Sequence, residues 1–128
     1  MEETLNFQKT NYIVETVKHI DRVQKEIVVT SATSCITCET SLITQANNTI
    51  PVTFYMCDSS PFIGFTTIDD TTGTRFFRIE CIRDNRFVTL RMLTLVDGVL
   101  TCTPQTLILD LDCVCALQCS SPINCVEC

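Results

Sequence analysis

Cysteine is the residue whose number and spacing carry chemistry in this chain, with 10 in 128 residues. Two pairs have CxxC spacing, Cys35-Ile36-Thr37-Cys38 and Cys125-Val126-Glu127-Cys128. Cys113, Cys115 and Cys119 share the odd positions of one segment, and Cys57, Cys81 and Cys102 stand singly. Two CxxC pairs supply the ligand count of a four-thiolate zinc site, with sulfur about 2.3 Å from the metal. Most of the chain separates the two pairs, however, and one of them ends the sequence, where order is hardest to maintain. A thioredoxin-like site needs its CxxC at a strand-to-helix junction, where the helix N-terminus favours the thiolate. No helical pattern follows Cys38. The remaining chemistry is disulfide formation, within the chain or between chains. Its candidates are Cys35 and Cys38 at a junction, and Cys113, Cys115, Cys119, Cys125 and Cys128 toward the C-terminal end.

Other chemistries have thin support. His19 is the single histidine, so no mechanism with two imidazoles is available, and there is no Trp. There is no GxSxG nucleophile elbow and no phosphate-binding GxxxxGK[ST] loop. Asp110 and Asp112, with Asp97 as a third carboxylate, could bind calcium or act as acid and base. On an amphipathic strand they read more simply as its solvent side. The formal charge of −6 disfavours a nucleic-acid partner, which calls for a basic face. The expectation is a non-catalytic protein with no cofactor.

The cysteine count and the N-terminus point to different compartments. Dense cysteine usually accompanies secretion and a disulfide framework. Met1-Glu2-Glu3-Thr4-Leu5-Asn6-Phe7-Gln8 has early carboxylates and no apolar signal region. No apolar run reaches the roughly 18 residues that a membrane span requires. These features predict synthesis in a reducing cytoplasm without a signal peptide.

The elements that must position these cysteines are mostly strands. Residues 11–28 carry the one helical pattern: Ile13, Val17, Ile20 and Ile27, with Val23 or Gln24 between the last two, recur at spacings of three and four, with Asn11 as the expected N-cap. This apolar stripe must lie on the domain or on a neighbouring subunit, so the same four residues are the candidate oligomer contacts. Beyond residue 28, Thr, Val, Ile and Phe favour strands. Ile50–Cys57 alternates, and Phe62–Thr67 is a short run. Arg75–Arg83 and Phe87–Val96 form a hairpin across Asp84-Asn85, and Asp97-Gly98 turns into Val99–Cys102. Leu107–Cys119 alternates strictly, which places Cys113, Cys115 and Cys119 on one buried face if the strand stays regular. The expected architecture is mainly β, an antiparallel β-sandwich or jelly-roll-like domain with one N-terminal amphipathic helix. It divides into an N-terminal arm and helix (1–34), a β-domain (35–119) and a Cys-rich tail (120–128).

Asp110-Leu111-Asp112-Cys113-Val114-Cys115-Ala116-Leu117-Gln118-Cys119 resembles the C-terminal signature of the CotY/CotZ and ExsY family of spore coat and exosporium proteins. In that signature an acidic-aliphatic pair precedes Cys-aromatic-Cys-Ala-Ile-Gln-Cys. Phe76–Glu80 with Val88–Leu93 resembles the family's central hairpin, and Ile50–Phe54 and Phe62–Phe65 resemble its preceding strands. Cys35–Cys38, followed by Leu42, resembles its Cys-rich turn. The family's usual cysteine ahead of the helix is missing from residues 1–34, and Cys125–Cys128 lies outside the pattern.

The resemblance implies a structural spore-surface protein, made in the mother-cell cytoplasm, that self-assembles into a coat or exosporium layer. The layer is expected to be a hexameric or higher lattice with itself and other coat proteins as partners. Its disulfides would close once lysis of the mother cell exposes it to oxidising conditions. Two alternatives are an adaptor that anchors another spore-surface component and a thiolate zinc-binding module.

Overall fold

The structure is a computed structural model that describes residues 2–26 and 48–125. Cys35, Cys38, Cys128 and Ile27 lie outside the described residues. The helix α1 spans Glu2–Glu26, so it starts earlier than the stripe predicts, and Asn11 lies inside it rather than capping it. The strands are β1 (Val52–Met56), β2 (Phe76–Arg83), β3 (Phe87–Val96), β4 (Val99–Asp110) and β5 (Val114–Cys119), with a 3₁₀ turn, η1, at Leu111–Cys113. All pairings are antiparallel, in one sheet of order β4-β3-β2-β1-β5. The mainly β, antiparallel expectation with one N-terminal helix therefore holds. Among the described residues the second layer is the helix rather than a second sheet.

The connectivity forces this sheet to curl. β4 and β5 occupy opposite edges, so in a flat sheet four strand spacings, about 19 Å, would separate them. The step from Asp110 to Val114 reaches at most about 14 Å even when extended, and the intervening 3₁₀ turn shortens it. The two edges must therefore bend toward each other around a common interior.

That interior explains the apolar pattern. Val52 and Phe54 of β1, Phe77 and Ile79 of β2, Val88, Leu90 and Met92 of β3, and Leu109 of β4 are buried together. Ile13, Val14, Val17 and Ile20 of α1 join the same cluster. Ile13, Val17 and Ile20 thus cover the chain's own core and are not exposed for contact with another subunit. The curled sheet has an open apolar side, and the helix stripe closes it within the chain.

Gln24 fixes the helix in place. It is buried on the helix face, and its Nε2 donates to the Ile79 carbonyl at 2.8 Å while its Oε1 accepts from the Ile50 amide at 2.9 Å. The Ile79 carbonyl lies beside a bulge: β2 and β3 change register between Ile79 and Cys81. The extra residue re-aims the strand. Past the bulge Ile82 packs on the core, and Cys81 is a half-buried free thiol. Strict alternation would have kept Cys81 inward with Phe77 and Ile79.

Glu80, the residue passed over at the bulge, receives 2.8 Å hydrogen bonds from Arg78 Nη1 and Arg91 Nε. Arg78 Nε also donates to Thr49 Oγ1 at 2.7 Å. Burial pushes the Glu80 carboxyl up, but the Arg91 and Arg78 hydrogen bonds and charges outweigh it and hold the group below the ordinary carboxylate range.

The β3–β4 hairpin follows the sequence closely. Asp97 and Gly98 both have positive φ, 53° and 80°, the type I′ geometry that Asp-Gly favours. β4 then continues past the expected end at Cys102, through Pro104, to Asp110. It can hold a proline because it is an edge strand, and its register with β3 shifts between Arg91 and Leu93. The run at residues 62–67 forms a single bridge, Gly64 with Thr74, rather than a strand.

Candidate cross-linking site

The corner between β4 and β5 gathers the chemistry that the sequence singles out. Asp110 caps η1, its side chain accepting from the Asp112 amide at 3.0 Å. Arg86, in the β2–β3 turn, holds both Asp110 oxygens at 2.9 Å and Asp112 at 3.2 Å. The Leu111 amide donates to the Arg86 carbonyl at 2.8 Å, and the Leu111 side chain is buried. The hydrogen bond to Asp110, then the charges of Asp110 and Asp112, raise the Arg86 pKa above its ordinary value. The Arg86 hydrogen bond and that of the Asp112 amide lower the Asp110 pKa. The two carboxylates are thus held by an arginine, and Asp97 lies away from them at the hairpin turn. Among the described residues, no group of three or more His, Cys, Asp and Glu side chains is placed to hold a metal.

The 3₁₀ turn decides the fate of the cysteines. It interrupts the expected continuous strand, so Cys113 is exposed, a free thiol, and Cys115 and Cys119 are half-buried rather than on a fully buried face. Cys115 instead bonds to Cys57 at the end of β1, with Cα atoms 4.9 Å apart. The pairing of β1 with β5 shifts register between Tyr55 and Met56, beside this bridge. Cys119 is disulfide-bonded as well. Cys125 bonds to Cys102 of β4, with Cα atoms 5.5 Å apart.

Cys125 is therefore engaged within the chain, and in this state it offers no thiolate to a four-cysteine zinc site. Residues 120–125 are held down: the Ser120 amide donates to Pro51, Thr49 and Ile123 exchange amide hydrogen bonds, and Asn48 Oδ1 accepts from the Cys125 amide. Cys57 and Cys102 were not singled out as bridging residues from the sequence. Each has its partner far along the chain, 58 and 23 residues away, so no local spacing marks them. His19 lies on α1, its Nδ1 2.9 Å from Arg22 Nη2.

Among the described residues, this part of the molecule carries one exposed free thiol and two bridges, Cys57–Cys115 and Cys102–Cys125. Residues 1–105 match the family described as Spore coat protein Z. The chain belongs to that family. The match takes in α1, the Cys35–Cys38 pair and the central hairpin, and it ends before Asp110, so the C-terminal motif lies beyond the matched stretch. No curated protein matches the chain, and no solved structure does. Membership of a spore coat family carries a structural role at the spore surface. No described helix is long and apolar enough to cross a membrane.

Proposed function

We propose that this spore coat family member is a subunit that self-assembles into an ordered layer, and that Cys113 is the thiol through which described residues link neighbouring subunits. One observation carries the proposal. Cys113 is exposed and free on a corner clamped by Arg86, whereas Cys57, Cys102, Cys115 and Cys125 are bonded within the chain. A thiol held on a rigid corner can meet a neighbour's sulfur in a repeatable geometry, as a lattice requires.

Non-covalent contact has a candidate surface at the other end of the sheet. Leu95 and Val99, 59% and 64% exposed, flank the β3–β4 turn. Phe65 and Ile68 are exposed on the loop before β2, and a nearby groove of about 900 Å³ is lined by Ile63, Phe76 and Leu95 together with threonines and Asp69 and Asp70. Clustered exposed apolar side chains of this kind mark association surfaces, and a second copy is the occupant that a self-assembling layer supplies.

The test is electron microscopy and non-reducing electrophoresis of purified protein after oxidation. Extended sheets and a ladder of disulfide-linked species are expected from the native chain. The ladder should shorten in Cys113→Ser, whose folded stability should be unchanged. Discrete particles and monomer bands under every redox condition would refute the proposal and favour an adaptor.

A further inference from the structure

The Cys57–Cys115 bridge is placed for reaction as well as for support. Cys57 is exposed. Both cysteines line a surface pocket of about 430 Å³, together with Tyr55, Met56, Ser59 and Ala116. Cys102–Cys125 differs, because Cys125 is buried. The exposed free thiol of Cys113 lies two residues from Cys115.

We infer that the Cys57–Cys115 disulfide is a thiol-exchange site, and that the incoming thiol is Cys113 of a second copy. In the exchange, the incoming thiol loses its proton to solvent and its thiolate attacks Sγ of Cys57, the more exposed residue of the bridge. The Cys57–Cys115 bond breaks as the new bond to Cys57 forms. Cys115 leaves as a thiolate and takes up a proton. One disulfide and one thiol enter, one disulfide and one thiol leave, and no oxidant is consumed.

Counting links among the described residues favours exchange over simple oxidation. Their one exposed free thiol, oxidised against its like, joins two copies and stops. With exchange, each chain gives through Cys113 and receives at Cys57, so it carries two different links. Such head-to-tail contacts build rings or extended arrays. The inference rests on the proposed cross-linking role and adds its acceptor.

Exchange is tested on full-length native protein under anaerobic conditions, with biotinylated glutathione as a small-thiol probe in one arm and no added thiol in the other. Remaining thiols are trapped with N-ethylmaleimide and peptides are mapped by mass spectrometry. The probe arm should place the adduct on Cys57 and the maleimide on Cys115, with Cys102–Cys125 intact. The second arm should yield an interchain peptide joining Cys113 to Cys57, absent from Cys113→Ser. Adduct on Cys57 without that peptide would keep the exchange site and assign its thiol to a small molecule, overturning Cys113 as donor. A Cys57–Cys115 bridge intact in both arms would overturn the site. If oxidised protein still formed Cys113–Cys113 dimers, the cross-linking role of Cys113 would stand without exchange.

Discussion

Replacing Gln24 tests whether one side chain joins the helix to the sheet. Gln24 is 1% exposed and satisfies two buried backbone groups, the Ile79 carbonyl at 2.8 Å and the Ile50 amide at 2.9 Å. Gln24→Met keeps the length, volume and helix propensity of the side chain and removes both partners. Each orphaned group costs about 1–3 kcal/mol, so the loss should be about 2–6 kcal/mol. A chain of 128 residues unfolds with an entropy near 0.27 kcal/mol/K, which makes the expected fall in Tm roughly 7–22 °C.

Gln24→Glu separates the two hydrogen bonds from simple packing. Protonated, the new carboxyl can still donate to Ile79 and accept from Ile50; ionised, it points a charge at a carbonyl oxygen. Its folded pKa then lies above the unfolded value of about 4.3. The variant should be near native stability below that pH and lose stability as pH rises through the folded pKa. Urea unfolding with disulfides intact measures both variants. A loss below about 1 kcal/mol for Gln24→Met, or the same Gln24→Glu stability in acid and at neutrality, would refute the bridging role.

Glu80 carries the opposite pH dependence: its folded pKa is depressed, so its contribution is present above the unfolded pKa and lost as pH falls through the folded one. Native protein should lose this increment on acidification while Glu80→Gln, already weakened by about 1–3 kcal/mol, should show a flatter profile in urea titrations across pH 2–6. Reduction should lower the thermal midpoint, since in the chain-entropy account bridges separated by 58 and 23 residues contribute about 4 and 3 kcal/mol; calorimetry with and without reductant reads this. Leu95→Asp with Val99→Asp should leave the melting temperature within about 2 °C, as expected of exposed sites, while particle size by light scattering falls to that of single subunits. Gly73→Ala should cost more than about 1 kcal/mol, because Gly73 has φ +78° and an added Cβ would collide with Ile63.

Features set by local physics were legible in the sequence. Asp97-Gly98 specified its turn, the alternation of Phe76–Arg83 and Phe87–Val96 specified a hairpin, and the Ile13, Val17, Ile20 spacing specified a helix with one buried face. What that face covers depends on how far the sheet curls, which no periodicity reveals. The bulge at Glu80 was hidden because Phe77, Ile79 and Cys81 keep perfect alternation, and only the Arg78–Glu80–Arg91 cluster and the Gln24 contact shift the register. The 3₁₀ turn at Leu111–Cys113 was masked for a similar reason. Asp110 and Asp112 look like the wet side of a strand, yet Asp110 capping the Asp112 amide is the local turn an Asp favours. Reading Asp110 as a cap would have turned Cys113 outward. The Cys57–Cys115 and Cys102–Cys125 pairings needed the sheet order itself.

The contacts that close this fold divide into those that depend on oxidation and those that do not. Arg86 with Asp110 and Asp112 holds the β4–β5 corner, and Gln24 holds the helix on the sheet. None of these contacts involves sulfur. These closures therefore do not depend on oxidation, and across the two bridges the Cα separations are 4.9 and 5.5 Å, inside the range a disulfide accepts. The bridges thus add covalent closure to a shape that hydrogen bonds and ion pairs also hold. Cys113 remains outward on that shape, an exposed free thiol where the proposed link to a neighbour needs one.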